Sequence, residues 1–260
     1  MCLVVFGFKN HPEYNLIFAS NRDEYYDRPA CSARIWNEGP DIIAGKDLEK
    51  NGTWLAVRRS GSFAAVTNFR DPANIKPDAP SRGKLVTESL QPGMEAEEFL
   101  ARLRRKADLY NGFNLLLGDG NNLLHFSNYE GRINKIKPGT YGLSNALLNT
   151  PWPKIKKAKR KFRKALSKKE ISDDHLFEIL TDTERFDPDE LPETGLTPEM
   201  ERAVSSIFIR TENYGTRCST LLFIKRNGNL RFVERSYIPG STEVENEIIH
   251  TVINSSDTHF

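Results

Sequence analysis

Met1-Cys2-Leu3-Val4-Val5-Phe6-Gly7-Phe8 opens the chain and contains no charged residue to mark a solvent face. A strand with one wet face alternates apolar and polar side chains, whereas a strand covered on both faces reads as an unbroken apolar run. Residues 2–8 therefore predict a strand buried on both sides. Asn10 to Glu13 predict a turn, and Leu16-Ile17-Phe18-Ala19 predict the returning strand. Asn21-Arg22-Asp23-Glu24 follows that strand directly.

The same hairpin grammar recurs along the chain. Ile42-Ile43-Ala44-Gly45 reads as a short strand, and strands at 53–57 and 63–67 flank Ser60-Gly61. Strands at 113–117 and 123–126 flank Gly118-Asp119-Gly120, and strands at 220–224 and 230–234 flank Asn227-Gly228. Asn-Gly is the strongest short hairpin signal, because both turn positions need positive φ. Helices are fewer. They are predicted over 83–91, over 95–108 with Phe99, Leu100, Leu103 and Ala107 on one face, and over 153–168 behind Pro153. A fourth starts at Ser172, with Asp173 and Asp174 in its first turn. Residues 184–198, rich in Pro, Asp and Glu, read as a loop. Strands at both ends with helices between predict one α+β domain over residues 1–260, with antiparallel sheets.

A hydrophobic content of 38%, a charged content of 28% and a net charge of +2 suit a globular chain with a real core and give no global polyanion signal. Cys2, Cys31 and Cys218 are too few, and odd in number, for a disulfide framework, which points to a reducing, cytoplasmic setting. The opening run lacks a basic flank and stops at Lys9-Asn10-His11-Pro12, so it does not read as a signal peptide. No stretch reaches the ~20 apolar residues of a membrane span. There is no P-loop, no paired Cys-x-x-Cys and no His-Glu-x-x-His, and the five histidines form no ligand spacing. Neither a metal nor a cofactor is expected.

Cys2 has two readings. It is a small residue opening an apolar strand, the commoner case. Alternatively, once Met1 is removed, it is a nucleophile whose own α-amine is its general base. The amine titrates near pH ~8 and the thiol near ~8.5. Asp23 could orient that amine, and Arg22 could hold an acid group or a thiolate. Asn68, in Ala65-Val66-Thr67-Asn68-Phe69-Arg70-Asp71, and Asn145, in Tyr141-Gly142-Leu143-Ser144-Asn145, end apolar segments. Amide donors fixed there suit an oxyanion hole, and asparagines there equally suit turns. Residues 154–169 carry ten Lys or Arg and no acid. They read as a solvated amphipathic helix or as a face for acyl-CoA phosphates or anionic lipid. Aromatic interleaving for nucleic acid is missing.

Taken together, several motifs resemble the NRDE family (transport and Golgi organisation protein 2-like). They are Cys2, Asn21-Arg22-Asp23-Glu24, Gly52-Thr53-Trp54-Leu55, Thr67-Asn68-Phe69-Arg70-Asp71, Tyr110-Asn111-Gly112-Phe113-Asn114, Tyr141-Gly142-Leu143-Ser144-Asn145, Thr150-Pro151-Trp152-Pro153-Lys154, Leu191-Pro192-Glu193-Thr194-Gly195 and Tyr214-Gly215-Thr216-Arg217. The resemblance runs from residue 1 to about 237. That family in turn resembles N-terminal nucleophile hydrolases of the bile-salt hydrolase and penicillin V acylase type. The resemblance implies an αββα sandwich of two antiparallel sheets. It implies Cys2, Asp23, Asn68 and Asn145 as catalytic residues, and Asn21, Arg22 and Arg217 as substrate contacts. The amidases place an early arginine three residues before the aspartate, where this chain has Ser20; here Arg22 immediately precedes Asp23. The implied activity is hydrolysis of a non-peptide C–N bond or a thioester in a small acyl substrate. The alternative implied by the family is non-catalytic binding and trafficking of haem, acyl-CoA or lipid.

Overall fold

The opening hairpin forms as its apolar runs predict, with β1 (Leu3–Phe8) paired antiparallel to β2 (Tyr14–Tyr25). The computed structural model describes residues 3–36, 41–168 and 170–253. After the hairpin come β3 (Ala30–Trp36), β4 (Ile42–Asp47), β5 (Leu55–Arg58) and β6 (Phe63–Asn68). Helices α1 (Arg82–Ser89) and α2 (Ala96–Arg104) precede β7 (Phe113–Gly118), β8 (Leu123–Ser127) and β9 (Ile133–Lys135). Next are β10 (Gly139–Leu143), α3 (Pro153–Leu166), α4 (Asp173–Leu180) and the short α5 (Pro198–Ala203). The last strands are β11 (Tyr214–Lys225), β12 (Leu230–Tyr237) and β13 (Val244–Val252).

One sheet has the order β10-β1-β2-β11-β12-β13, and the other runs in chain order from β3 to β9. The apolar run of β1 is explained by what covers its two faces. Val4, Phe6 and Phe8, with Leu16 and Phe18 of β2, pack against Leu55, Val57, Phe63 and Ala65 of the second sheet. Leu3, Val5, Ile17 and Ala19 point the other way, onto Ile155, Ala158 and Phe162 of α3 and Leu176 and Phe177 of α4. The outer face of the second sheet packs Ala64, Val66, Leu115 and Leu117 against Leu85, Val86, Leu100 and Leu103 of α1 and α2. The layers are helix, sheet, sheet, helix, and the architecture is the α+β sandwich that the resemblance implies.

The structure corrects several sequence boundaries. β2 does not stop at Ala19. It continues through Asn21-Arg22-Asp23-Glu24 to Tyr25, paired with β11 throughout. Polar residues persist inside this strand because each finds a partner there, as described below. β3, β9, β10 and β13 escape sequence reading. β13 is an edge strand with mostly exposed side chains, and only Val252 packs against the core between the sheets. β9 has only three residues. The hairpin forms at Asn227-Gly228, but only Gly228 takes positive φ, at 85°; its N–H donates to Lys225 O at 3.0 Å, so Arg226 and Asn227 are the central turn residues. Ser172 caps α4, accepting from the His175 N–H.

Candidate functional site

The NRDE segment sits opposite β11 at an irregularity. Arg22 pairs with Cys218 and Asp23 with Thr216, leaving Arg217 as the extra residue of a bulge. Bulges re-aim side chains and break strict alternation. Asp23 is buried, and its Oδ1 accepts from the Thr216 hydroxyl at 2.6 Å. Thr216 Oγ1 in turn accepts from the Ile209 N–H at 2.9 Å. Leu3, the first described residue of β1, pairs with Asn21. Cys2, joined to Leu3 by one peptide bond, lies outside the described residues.

Asn21 does not line the cavities described here. Its Nδ2 donates to Leu180 O (2.8 Å) and Ile207 O (2.9 Å), and its Oδ1 accepts from Ser219 Oγ (2.6 Å). It is a fully buried tie between the sheet, the end of α4 and the segment leading to β11. Arg217 spends its Nη1 on the carbonyls of Tyr25 (2.9 Å) and Arg28 (2.8 Å) and so holds the end of β2. Burial draws its pKa down. Arg22 is different. It is 4% exposed, with its guanidinium 4.3 Å from the Trp54 ring centroid, and among the described residues no carboxylate pairs with it. It stands between two hollows. One, of about 440 Å³, is also lined by Asp23, Asn68 and Arg82. The other, of about 110 Å³, is lined by Cys31, Cys218, Glu234 and Tyr237.

Sequence reading missed that inner hollow. Glu234 is buried, and its Oε1 accepts from the Ala33 N–H at 2.6 Å across the two sheets. Burial pushes its carboxyl pKa up, against the donors that surround it. Burial likewise pushes the Cys218 thiol well up, so Cys218 is held as a neutral thiol and is a poor nucleophile. The one available signal was a lone Glu in the apolar strand Leu230-Arg231-Phe232-Val233-Glu234, where a buried carboxylate needs partners.

Asn68 ends β6 and is half-buried, and among the described residues nothing hydrogen-bonds its side chain. Asn145 follows β10 and is 7% exposed, and its Nδ2 donates to Asn68 O at 3.0 Å. An amide nitrogen carries two protons, so one donor of Asn145 is not committed to that bond. Both asparagines border a cavity of about 730 Å³. Its apolar wall includes Pro72, Ile75, Leu196, Met200, Val204 and Ile209. Asn68 also lines the 440 Å³ hollow that contains Asp23, and with Tyr25, Arg82, Asn111 and Tyr214 it borders both spaces. The structure thus brings Asp23, Asn68, Asn145 and Arg22 to one region and sets Asn21 as a tie behind it, while Arg217 ties the end of β2 and also lines the 110 Å³ hollow beside Arg22.

The cavity is walled by two segments. In 68–75, Phe69 stacks on Tyr129 at 3.9 Å between ring centroids, and the Tyr129 hydroxyl donates to Asp71. That contact lowers the Asp71 carboxyl pKa, while burial and the same carboxylate push Tyr129 up to about 12. In the second, residues 184–198 are expected as a loop, and α5, whose Met200 and Ala203 face the cavity, starts where that expectation ends. Arg70 fixes this helix, pairing Nη1 with Glu201 Oε2 at 2.7 Å.

The basic helix is only partly neutralised. Asp182 pairs with Lys157 and Lys161, and Glu184 with Lys157. Lys154 is buried and donates to Val204 O. Lys156, Arg160, Arg163, Lys164 and Lys168 form an exposed stripe that makes no ion pair among the described residues. Lys169 lies outside them. Among the described residues, no group of three or more His, Cys, Asp and Glu is placed to hold a metal, and no helix is long and apolar enough to cross a membrane.

The family model for transport and Golgi organisation 2 matches residues 1–239. The transport and Golgi organization 2 homolog of Mus musculus is 35% identical over 263 residues, covering 93% of this chain and 95% of its own. The Homo sapiens homolog is 34% identical, covering 91% and 93%. The Drosophila melanogaster protein is 27% identical, covering 91% and 92%. Among solved structures, two variants of conjugated bile acid hydrolase from Clostridium perfringens superpose with TM-scores of 0.50 and 0.52, at 11% and 12% identity. They cover 98% and 96% of this chain, and 97% and 96% of their own. At that identity they establish the fold, which is of the N-terminal nucleophile hydrolase type.

Proposed function

The chain belongs to the transport and Golgi organisation 2 family, and on that footing we propose that it is an N-terminal cysteine hydrolase of small acyl substrates. The bond cut is a non-peptide C–N bond or a thioester, and the setting is the reducing cytosol. The observation that supports this most is the convergence of Asp23, Asn68 and Asn145 on two spaces that Asn68 borders in common, near the first described residue of β1. Removal of Met1 gives Cys2 a free amine. The thiol proton passes to that amine as sulfur attacks the substrate carbonyl carbon. The carbonyl electron pair moves onto oxygen, where amide donors of Asn68 and Asn145 stabilise it. Collapse expels the amine or thiol leaving group, which takes the proton back from the ammonium and leaves an acyl thioester on Cys2. Water, deprotonated by the same amine, attacks the thioester and releases the acid. Asp23, aligned by Thr216, orients the amine. The wall of Ile75, Leu196, Met200 and Val204 suits an apolar acyl chain, and Arg22 suits a negative charge on the substrate.

Intact mass first establishes whether Met1 is absent. The protein and Cys2→Ala are then offered a panel of acyl-CoA thioesters and N-acyl amino acids. The expected result is hydrolysis of at least one member and none by Cys2→Ala, with the fold intact by circular dichroism. Equal turnover by Cys2→Ala refutes the proposal. Saturable binding of haem, acyl-CoA or lipid without turnover of any panel member, unchanged in Cys2→Ala, supports the binding and trafficking reading in its place.

A further inference from the structure

Asn145 is held by a chain of buried polar groups that the mechanism above does not use. The carbonyls of residues 144 and 146 are grasped from the second sheet, and that of 145 from the segment just beyond β6. Thr67 Oγ1 donates to Ser144 O (3.2 Å), the Arg70 N–H to Asn145 O (2.7 Å), and Asn114 Nδ2 to Ala146 O (3.0 Å). Asn114 Nδ2 also donates to Thr67 Oγ1 at 3.2 Å, and these two residues face each other across β6 and β7. Asn114 is completely buried, so its amide orientation decides whether donors or an acceptor face the 144–146 loop. His125 on β8 settles that orientation. Its Nε2 lies 3.2 Å from Asn114 Oδ1, and the ring is completely buried. With the proton on Nε2, His125 donates to Oδ1 and commits both Nδ2 protons to Thr67 and Ala146. Burial alone draws the His125 pKa down to about 4, so the ring stays neutral at working pH and one tautomer suffices.

We propose that Asn114, locked in register by His125, is a positioning residue that sets the placement of Asn145 through Thr67 and the 144 and 146 carbonyls. The inference rests on the reading of Asn145 as an oxyanion donor. A donor displaced by about 1 Å loses a large part of its effect on a tetrahedral intermediate. The same shift has no effect on alkylation, in which sulfur displaces a halide at a saturated carbon and no oxyanion forms. The Tyr110-Asn111-Gly112-Phe113-Asn114 motif thereby gains a role that sequence reading did not give it.

The test compares two reactions of the same thiol. Acylation by p-nitrophenyl butyrate is followed as a nitrophenolate burst, with intact mass locating the adduct on Cys2. Alkylation by iodoacetamide is followed by mass. Asn114→Leu is expected to slow acylation at least ~10-fold while alkylation stays within about twofold of wild type. His125→Gln, which retains a donor near the Nε2 position, is expected to preserve the acylation rate, and His125→Leu to lower it. An unchanged acylation rate in Asn114→Leu overturns the proposal, as does an equal fall in both reactions. If Asn114→Leu loses its cooperative thermal transition, Thr67→Val against Thr67→Ser carries the same comparison. Slower acylation in Thr67→Val alone then supports the proposal, and unchanged acylation or an equal fall in both reactions overturns it. A wild-type protein that takes no acyl group on Cys2 overturns the hydrolase reading, and this inference with it. A wild-type adduct with an indifferent Asn114→Leu overturns this inference alone.

Discussion

Glu201→Gln tests whether the cavity cover is fixed by charge or merely packed in place. Glu201 and Arg70 have side chains only 7% and 14% exposed, with Nη1 and Oε2 2.7 Å apart. The other carboxylate oxygen, Oε1, accepts from the Thr194 N–H at 3.0 Å and from the Thr194 hydroxyl. Each oxygen of Glu201 therefore faces a donor. A glutamine has one oxygen and one NH₂, so either orientation turns a donor against a donor. The Arg70 guanidinium also sits 5.1 Å from the Trp152 ring centroid, which offsets part of the loss through a cation–π contact. A charged hydrogen bond contributes roughly 1.5–3 kcal/mol, and breaking one side of a buried pair costs roughly 3–5. With the Trp152 contact retained, the expected loss is about 2–4 kcal/mol. The same change at the outward Glu247, paired with Arg235, should cost under ~1 kcal/mol. Urea unfolding at pH 7 measures both, and limited proteolysis reports whether 191–197 becomes the first site cut. A Glu201→Gln loss below about 0.5 kcal/mol, within the range of ordinary surface changes, would refute the reasoning. It would mean that α5 is held by Leu196 and Val204 packing and not by the ion pair.

The remaining predictions concern pH and space. His125 is neutral in the fold, with its pKa lowered from 6.5 to about 4. The unfolded chain thus binds a proton here that the folded chain refuses. Its contribution is complete above pH ~6.5 and is lost as pH falls toward 4, with a span on the order of 3 kcal/mol. His125→Gln should flatten the stability profile across that window in urea titrations at successive pH values. An identical slope in the two proteins would count against a buried neutral ring. Gly215→Ala should destabilise by roughly 1–3 kcal/mol. A methyl there would sit 2.2 Å from Tyr26 Oη and 2.5 Å from Ile209 O. The Tyr26 ring can yield, but the Ile209 carbonyl accepts from the Thr216 N–H at 2.9 Å and cannot. Adding Tyr26→Phe should therefore recover little of the loss in the same unfolding assay.

The layered fold is legible because burial writes itself into runs of apolar residues. β1 and β2 read as interior strands without knowledge of any contact, and α3 and α4 read as helices from their stripes and from Ser172. The site is legible only by residue type. Asn68 and Asn145 sit where strands end, as the sequence suggests, and their approach follows from Asn145 reaching back to Asn68 O across 77 residues. Nothing local encodes that distance. The segment Asn21-Arg22-Asp23-Glu24 reads as lying beyond the strand, because four polar residues in a row resemble a solvated turn. The first three are kept in β2 by remote partners, Leu180 and Ile207 for Asn21, Trp54 for Arg22 and Thr216 for Asp23, while Glu24, near the strand end, pairs only locally with Arg28 four residues on. The basic helix misleads in a related way. Its charge is plain in the sequence, but the pairing of Lys157 and Lys161 with Asp182, and of Lys157 with Glu184, follows only from the fold.

Those remote partners also bear on why the motif keeps its order. Alternation along a strand sends Asn21 toward the helix layer, where it closes the carbonyls of Leu180 and Ile207. Arg22 then falls on the inter-sheet side, against Trp54 and the hollow of Glu234 and Cys218. The bulge at Arg217 interrupts strict pairing one residue later, and there Asp23 meets Thr216. Exchanging Arg22 and Asp23 would place a carboxylate on the Trp54 face beside buried Glu234, and a guanidinium on the hydroxyl that now serves as a donor. Two buried like charges would then lie near one another, with two donors left opposed. The order asparagine, arginine, aspartate is thus a consequence of strand parity combined with a single bulge. It holds whether or not Arg22 ever touches a substrate.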